Sequence, residues 1–275
     1  MTLGADLHRM MDLLQLPFMQ RALLGGILTG LTGGLMGSLT IVRQLSFFSD
    51  ALGHSALLGI SLGLVLGWNP SGVLLPFAVI FALGVTILLE KTALWTDALL
   101  NIIYSASLAI AVVVLSLTGT YKGGLHSLLF GDILAVQPTD LWMSGALLVV
   151  CALYLGLTLK TQMLITVQEP LAIARGVPVR FHRQVFISLL ALVVGVSIQA
   201  VGVLLISAFI VIPACAARLI CRRFSHHIVL SSLLGAGSAM VGLGLSAALN
   251  LPSGPSIVLV QILMFTLALV NPLRL

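Results

Sequence analysis

Asp50 and His54 stand four residues apart in the segment SFFSDALGHSALLG, residues 46–59. Four residues of helix advance about 400° and about 6 Å, so a carboxylate and an imidazole share one face within reach of a single cation. Oxygen and nitrogen donors of this kind suit Zn²⁺ or Mn²⁺, and no soft thiolate lies nearby in the sequence to favour Cu(I). Two ligands alone make a weak site, which suits an ion that must be released. If two copies of the chain met on a two-fold axis, they would offer two such pairs together; otherwise each copy offers one transient pair. The plainer reading makes Asp50 an N-cap at the water interface and His54 a packing residue. An Asp at the middle of a membrane span costs about 2.5–3.5 kcal/mol, so ionisable residues at depth usually face a cavity or a pathway.

A second feature is TVQEPLAIARGVPVRFHRQV, residues 166–185. A short helix over 170–175, stopped by Gly176 and followed by Pro178, predicts a compact amphipathic knob between two longer helices. Such a knob suits docking into a groove on a partner, with Glu169 and Arg175 at its polar edge. By itself the segment is read more simply as a connecting loop.

The remaining polar residues point to less. His226 and His227 follow Arg222 and Arg223 and read as interface residues. His126 and Asp132 lie in a loop better explained by contact with another protein than by metal binding, and His8 and His182 have no obvious partners. Cys151, Cys215 and Cys221 form no CxxC or Cys/His spacing and read as small core residues. The Gly-rich stretch LTGGLMGS lacks the Lys-Ser/Thr ending of a phosphate loop, so nucleotide hydrolysis would have to come from another chain. No HExxH, GxSxG or paired carboxylates within a span are present.

These residues must be positioned by membrane helices. Charged residues make up 8% of the 275 positions and hydrophobic residues 59%, far from the roughly 25% charged residues of a soluble domain. Apolar runs predict spans near 18–40, 51–67, 73–89, 98–117, 141–159, 185–198, 201–217, 228–249 and 255–270. The sixth and seventh are short and almost continuous, so eight and nine crossings are both expected counts. A single all-α membrane domain over residues 1–275 leaves no room for a soluble catalytic domain. The first span carries no small-residue cleavage site and is expected to remain as an anchor.

Arg43, Lys91, Lys160, Arg175, Arg180, Arg183, Arg218, Arg222, Arg223 and Arg274 fall on one side of this topology, 10 of the 13 basic residues. The positive-inside rule makes that side cytoplasmic and puts the N-terminus outside. The net charge of +5 is thereby a topology signal, with no aromatic interleaving to suggest nucleic acid. Gly26, Gly30 and Gly34 form one small-residue stripe, with Gly33 and Gly37 on an adjoining face, as close helix packing in lipid requires.

The segments RQLSFFSDALGHSALLG, TDALLNIIYSASLAIAVV, LHSLLFGDILAVQPTDL, EPLAIARGVPV, AVGVLLISAFIVIPACAARL and LPSGPSIVLVQILMF occur in that order. Together they resemble the zinc and manganese ABC importer permeases. The resemblance implies the type II, vitamin B12 importer-like permease fold in a bacterial inner membrane. It implies a homodimer, two cytoplasmic ATPase subunits that bind ATP, and an extracytoplasmic metal-binding protein. No permanent cofactor is expected; Zn²⁺ or Mn²⁺, or iron within the same family, would be cargo. Asp50 and His54 fall on the family's metal pathway, and Glu169, Pro170, Ala174, Arg175, Gly176 and Val177 on its coupling helix. Asn101 departs from the small residue expected at its place. The wording FGDILAVQPTDL looks closer to the zinc members of Gram-negative bacteria. A gradient-driven secondary cation transporter is the alternative class; it would need further buried carboxylates and does not account for the knob.

Overall fold

The computed structural model describes residues 16–92, 94–118 and 133–270. Ten α-helices run in order as α1 (Pro17–Val42), α2 (Phe48–Val65), α3 (Pro70–Lys91), α4 (Thr96–Thr118), α5 (Pro138–Val167), α6 (Glu169–Ala174), α7 (Val179–Val201), α8 (Val203–Ile220), α9 (Phe224–Leu249) and α10 (Ser253–Val270). A 3-10 turn, Ile133–Ala135, precedes α5. Among the described residues nine helices, all but α6, are long and apolar enough to cross a bilayer. The run read as one broken span or two is two helices, α7 of 23 residues and α8 of 18, parted at Gly202. Gly202 has φ 81° and ψ 167°, a conformation open only to glycine, so the break falls there and not at Gln199 and Ala200.

The helices cross closely where side chains are smallest. Gly26, Gly30 and Gly34 of α1 lie against Ala239, Gly235 and Ser231 of α9, while Gly33 and Gly37 lie against Phe209 and Ile210 of α8. A methyl group at Gly30, Gly34 or Gly37 would collide with the backbone of the facing helix. The two glycine faces thus serve two different neighbours within one chain, which is why both are needed. Ser231 closes the crossing by donating its hydroxyl to the Gly34 carbonyl at 2.7 Å. The core between the helices is filled by Phe48, Phe186, Phe209, Met36 and Leu39, all fully buried. Outward positions such as Ile80, Leu157 and Leu233 carry large exposed apolar side chains, the arrangement a hydrocarbon solvent demands. Trp68, Trp95 and Trp142 are 63%, 81% and 82% exposed beside helix ends, where indole rings favour the headgroup region.

One end of the bundle gathers the cytoplasmic elements expected from charge. The end of α1, the α3–α4 junction, the end of α5 and the start of α7 meet around one cavity, shared by Arg43, Leu89, Thr96, Thr166, Glu169 and Arg183. The antiparallel run of α9 along α1 places Arg222 and Arg223 at this same end. Lys122 and Arg274 lie outside the described residues, as do His8, Arg9, His126 and Asp132.

Candidate functional site

The helix that carries Asp50 and His54 starts abruptly. Gln44, at φ 56°, stops α1 with the amide of Leu45 donating back to the Thr40 carbonyl at 2.9 Å, the left-handed helix stop usually made by glycine. Within five residues α2 begins, and Asp50 sits in its first turn. His54 lies six residues, about 9 Å, from the start of that helix. The four-residue spacing does what helix geometry requires: His54 Nε2 and Asp50 Oδ1 face each other at 3.9 Å, with side chains 20% and 34% exposed. This gap is too long for a hydrogen bond. Two metal bonds of about 2.1 Å at a tetrahedral angle would span about 3.4 Å, so the donors need close by only about half an ångström to hold one ion. Among the described residues no third His, Cys, Asp or Glu joins them.

Tyr104 of α4 completes the surroundings, its ring meeting the His54 imidazole edge-on at 5.1 Å and 73°. Phe47 meets the Tyr104 ring edge-on, with centroids 6.2 Å apart. The imidazole is thus oriented by an aromatic wall and left open toward Asp50. Sequence spacing did not single out Tyr104, although it lies in one of the segments that carry the resemblance. Asn101, three residues before it, is exposed on α4 and disturbs no packing within the chain. On α2 itself, Ser49 and Ser55 are fully buried, and their hydroxyls have no hydrogen-bond partner.

The knob forms almost residue for residue as read. The helix α6 spans Glu169–Ala174 with Pro170 in its first turn and Arg175 as C-cap. Gly176, at φ 74°, lets the Val177 amide reach the Ala172 carbonyl at 3.1 Å. Ala172, Ile165 and Val179 form a small apolar cluster beneath, with Val177 packed against it. Leu171 and Ile173 point away from that cluster, 38% and 60% exposed. Both Glu169 carboxylate oxygens accept from Arg183 Nη2, at 2.8 and 2.9 Å, so the knob's first residue is tied to the helix that follows it. Arg175 lies exposed at the other end.

A polar network that sequence reading missed lies between these two regions. Arg43 Nη2 donates to Gln162 Oε1 and to the Gln162 carbonyl at 3.4 Å, and Arg43 Nε donates to Thr166 Oγ1 at 3.1 Å. The guanidinium also stacks over the Phe186 ring, 4.6 Å from its centroid. Gln162, fully buried, passes the chain on by donating to the Tyr154 hydroxyl, which donates to the His182 carbonyl at 3.2 Å. Burial pulls the Arg43 guanidinium down to about 10, still charged at neutral pH. A Gln that directly follows Lys160 and Thr161 gave the sequence reading no sign of its burial.

The two histidines read as interface residues separate: His226 is exposed, whereas His227 is buried and its Nε2 lies 2.9 Å from the Ala214 carbonyl of α8. The Nδ1 of His182 is buried without a partner, while its backbone carbonyl serves Tyr154. Cys151 is buried, and all three cysteines are free.

The sequence profile described as the ABC 3 transport family matches residues 15–271. The manganese transport system membrane protein MntC of Listeria monocytogenes is 32% identical over 256 residues, which cover 93% of this chain and 91% of that protein. The high-affinity zinc uptake system membrane protein ZnuB of Haemophilus influenzae is 32% identical over 254 residues, 92% of this chain and 97% of that one. Among solved structures, PsaBC from Streptococcus pneumoniae in complex with Fab superposes with a TM-score of 0.83 at 30% identity, covering 98% of this chain and 97% of its own. A multi-pass helical chain matched over nearly its whole length is a transport subunit of the bacterial inner membrane, and this chain belongs to the ABC 3 transport family, the metal-ion importer permeases its motifs resemble.

Proposed function

We propose that the chain is the membrane permease of an importer for a divalent transition-metal ion, with Asp50 and His54 as the donors the ion meets on its way through. The observation that carries this reading is the 3.9 Å gap between a carboxylate oxygen and an imidazole nitrogen that share one helix face and make no hydrogen bond to each other. Two donors desolvate an ion enough to select it and too little to keep it, which is what passage requires. The apolar face of α6, with Leu171 and Ile173 outward, is the surface for a cytoplasmic ATPase, and an extracytoplasmic binding protein delivers the ion at the opposite end of the bundle. Two copies of the chain form the pathway, each contributing one Asp–His pair.

Zinc is the proposed cargo, supported by the wording FGDILAVQPTDL. Manganese is the second reading, supported by the Listeria relative, which matches at the same 32% identity as the zinc protein. Oxygen and nitrogen donors accept either ion. The test is reconstitution of the chain with its ATPase and binding protein in liposomes, with uptake of Zn²⁺ and Mn²⁺ measured singly and in competition. Metal-stimulated ATP hydrolysis with uptake of zinc in excess over manganese is the expected result. Excess manganese uptake exchanges the cargo, and uptake driven by an ion gradient without ATP overturns the importer reading.

A further inference from the structure

We infer that Arg43 is the positioning residue that links the cytoplasmic knob to the metal-pair helix, so that a displacement of α6 reaches Asp50 and His54 through one half-buried guanidinium. The inference rests on the importer reading and concerns how that importer is driven.

Arg43 grips both helices that frame the knob. Gln162 and Thr166 belong to the last turns of α5, which ends at Val167, and only Gln168 separates it from α6. Phe186, under the guanidinium, belongs to α7, the helix that follows the knob and carries Arg183. Glu169 is fixed to Arg183 at 2.8 Å, so α6, the end of α5 and the start of α7 are tied into one unit on which Arg43 holds two points.

On its other side Arg43 has no slack toward α2. Its amide donates to the Leu39 carbonyl at 3.0 Å, the Leu45 amide to Thr40 at 2.9 Å, and the Phe48 amide to Leu45 at 3.0 Å. The five residues 43–47 are thus a hydrogen-bonded corner, and the Ala51 amide, beside Asp50, continues it by donating to Phe47 at 2.9 Å. Phe47 in turn touches Tyr104, the wall behind His54.

The chemistry of the joint matters. Both α2 and α7 feed the same apolar core, through Phe48 and Leu52 and through Ile187 and Leu190, and such packing resists compression but lets surfaces slide because it is non-directional. A guanidinium with two hydrogen-bonded edges and a stacked face resists shear as well, and a lysine could not reproduce that geometry. An arginine partly withdrawn from water at this corner is otherwise a costly way to end one helix and begin another.

The test uses the chain assembled with its ATPase and metal-loaded binding protein in liposomes, reading basal ATP hydrolysis and metal ions moved per ATP. Unsubstituted protein that shows no metal-stimulated hydrolysis would sink the importer reading itself, separately from this inference. With stimulation present, Arg43→Gln is expected to assemble, to keep basal hydrolysis within about twofold, and to lower ions per ATP by about tenfold or more, the effect of removing a charged hydrogen-bonding group. Arg43→Lys keeps the charge but not the fork, and is expected to stay below about a third of the normal ratio. A normal ratio in either variant overturns the inference. If neither assembles, Thr166→Val decides: in a nearly unchanged shape it removes the acceptor of Nε, together with that hydroxyl's own 2.7 Å donation to the Gln162 carbonyl within α5, and is expected to lower ions per ATP by about threefold. An unchanged ratio in Thr166→Val overturns it equally.

Discussion

The Asp50–His54 pair and the Arg43 network are both built from charged groups in an apolar protein, yet they are finished to opposite degrees. Asp50 and His54 face each other across 3.9 Å, partly open and without a third donor among the described residues. Arg43, a few residues earlier, has hydrogen bonds from two nitrogens, an aromatic ring beneath it and a buried glutamine as partner. The difference follows from what each must do with its charge. In the proposed roles, a pair that passes an ion has to leave donor capacity unspent, whereas a joint that transmits movement has to spend most of it, since unsatisfied polar groups away from water destabilise by about 1–3 kcal/mol each.

The comparison breaks outright if the open pair is dispensable. Replacing Asp50 and His54 together by Ala is expected to reduce metal uptake to background, about a hundredfold or more, since removing two ligands forfeits several kcal/mol of ion binding. Assembly with the ATPase, read by co-purification, should persist because neither side chain makes a hydrogen bond among the described residues. Normal uptake by that variant would remove the pair from the pathway.

Finishing the open pair should be nearly as damaging. Tyr104→His places a third donor beside His54, whose ring now sits 5.1 Å from the tyrosine ring. Zinc retained by the purified protein, measured by mass spectrometry, is expected to rise while uptake falls by about tenfold, a binding gain of about 1.4 kcal/mol appearing as slower release. Faster uptake with no retained zinc would show that passage does not depend on an incomplete site.

Loosening the finished region should cost less at each step. Glu169→Gln removes the charge that Arg183 meets at 2.8 Å, but both side chains are part-exposed. The expected loss is therefore at most about 1 kcal/mol, roughly fivefold in affinity for the ATPase subunit by titration of the two purified subunits. A hundredfold loss would mean that Glu169 touches the partner directly. Ile173→Ser, on the exposed face of α6, should weaken the same affinity by about threefold or less, from the roughly half-buried apolar area it would lose on docking.

How much of this could be read in advance depended on the range of the interaction. The knob was read to within one residue, as a helix at Glu169–Ala174 against an expected 170–175, because Pro170 and Gly176 act on their own neighbours. The glycine stripes of α1 were equally visible, although not that one face meets α9 and the other α8. The break at Gly202 was misplaced by two residues: the polar Gln199 drew the reading, whereas the backbone conformation of Gly202 makes the break. His227 was read together with His226 as an interface residue, because adjacency in sequence says nothing about which side of α9 meets the Ala214 carbonyl.

The sequence by itself determined the membrane class, the helix count to within one and the Asp50–His54 face. Each follows from composition or from the 3.6-residue period of a single helix. Only the tertiary structure decided that Tyr104 orients His54, that Gln162 and Thr166 receive Arg43, and that α1 is the shared partner of α8 and α9. Helices in lipid are not sorted by hydrophobicity, since every face is apolar. Their partners are chosen by close packing and by a few buried polar contacts between distant residues, which spacing along the chain does not encode.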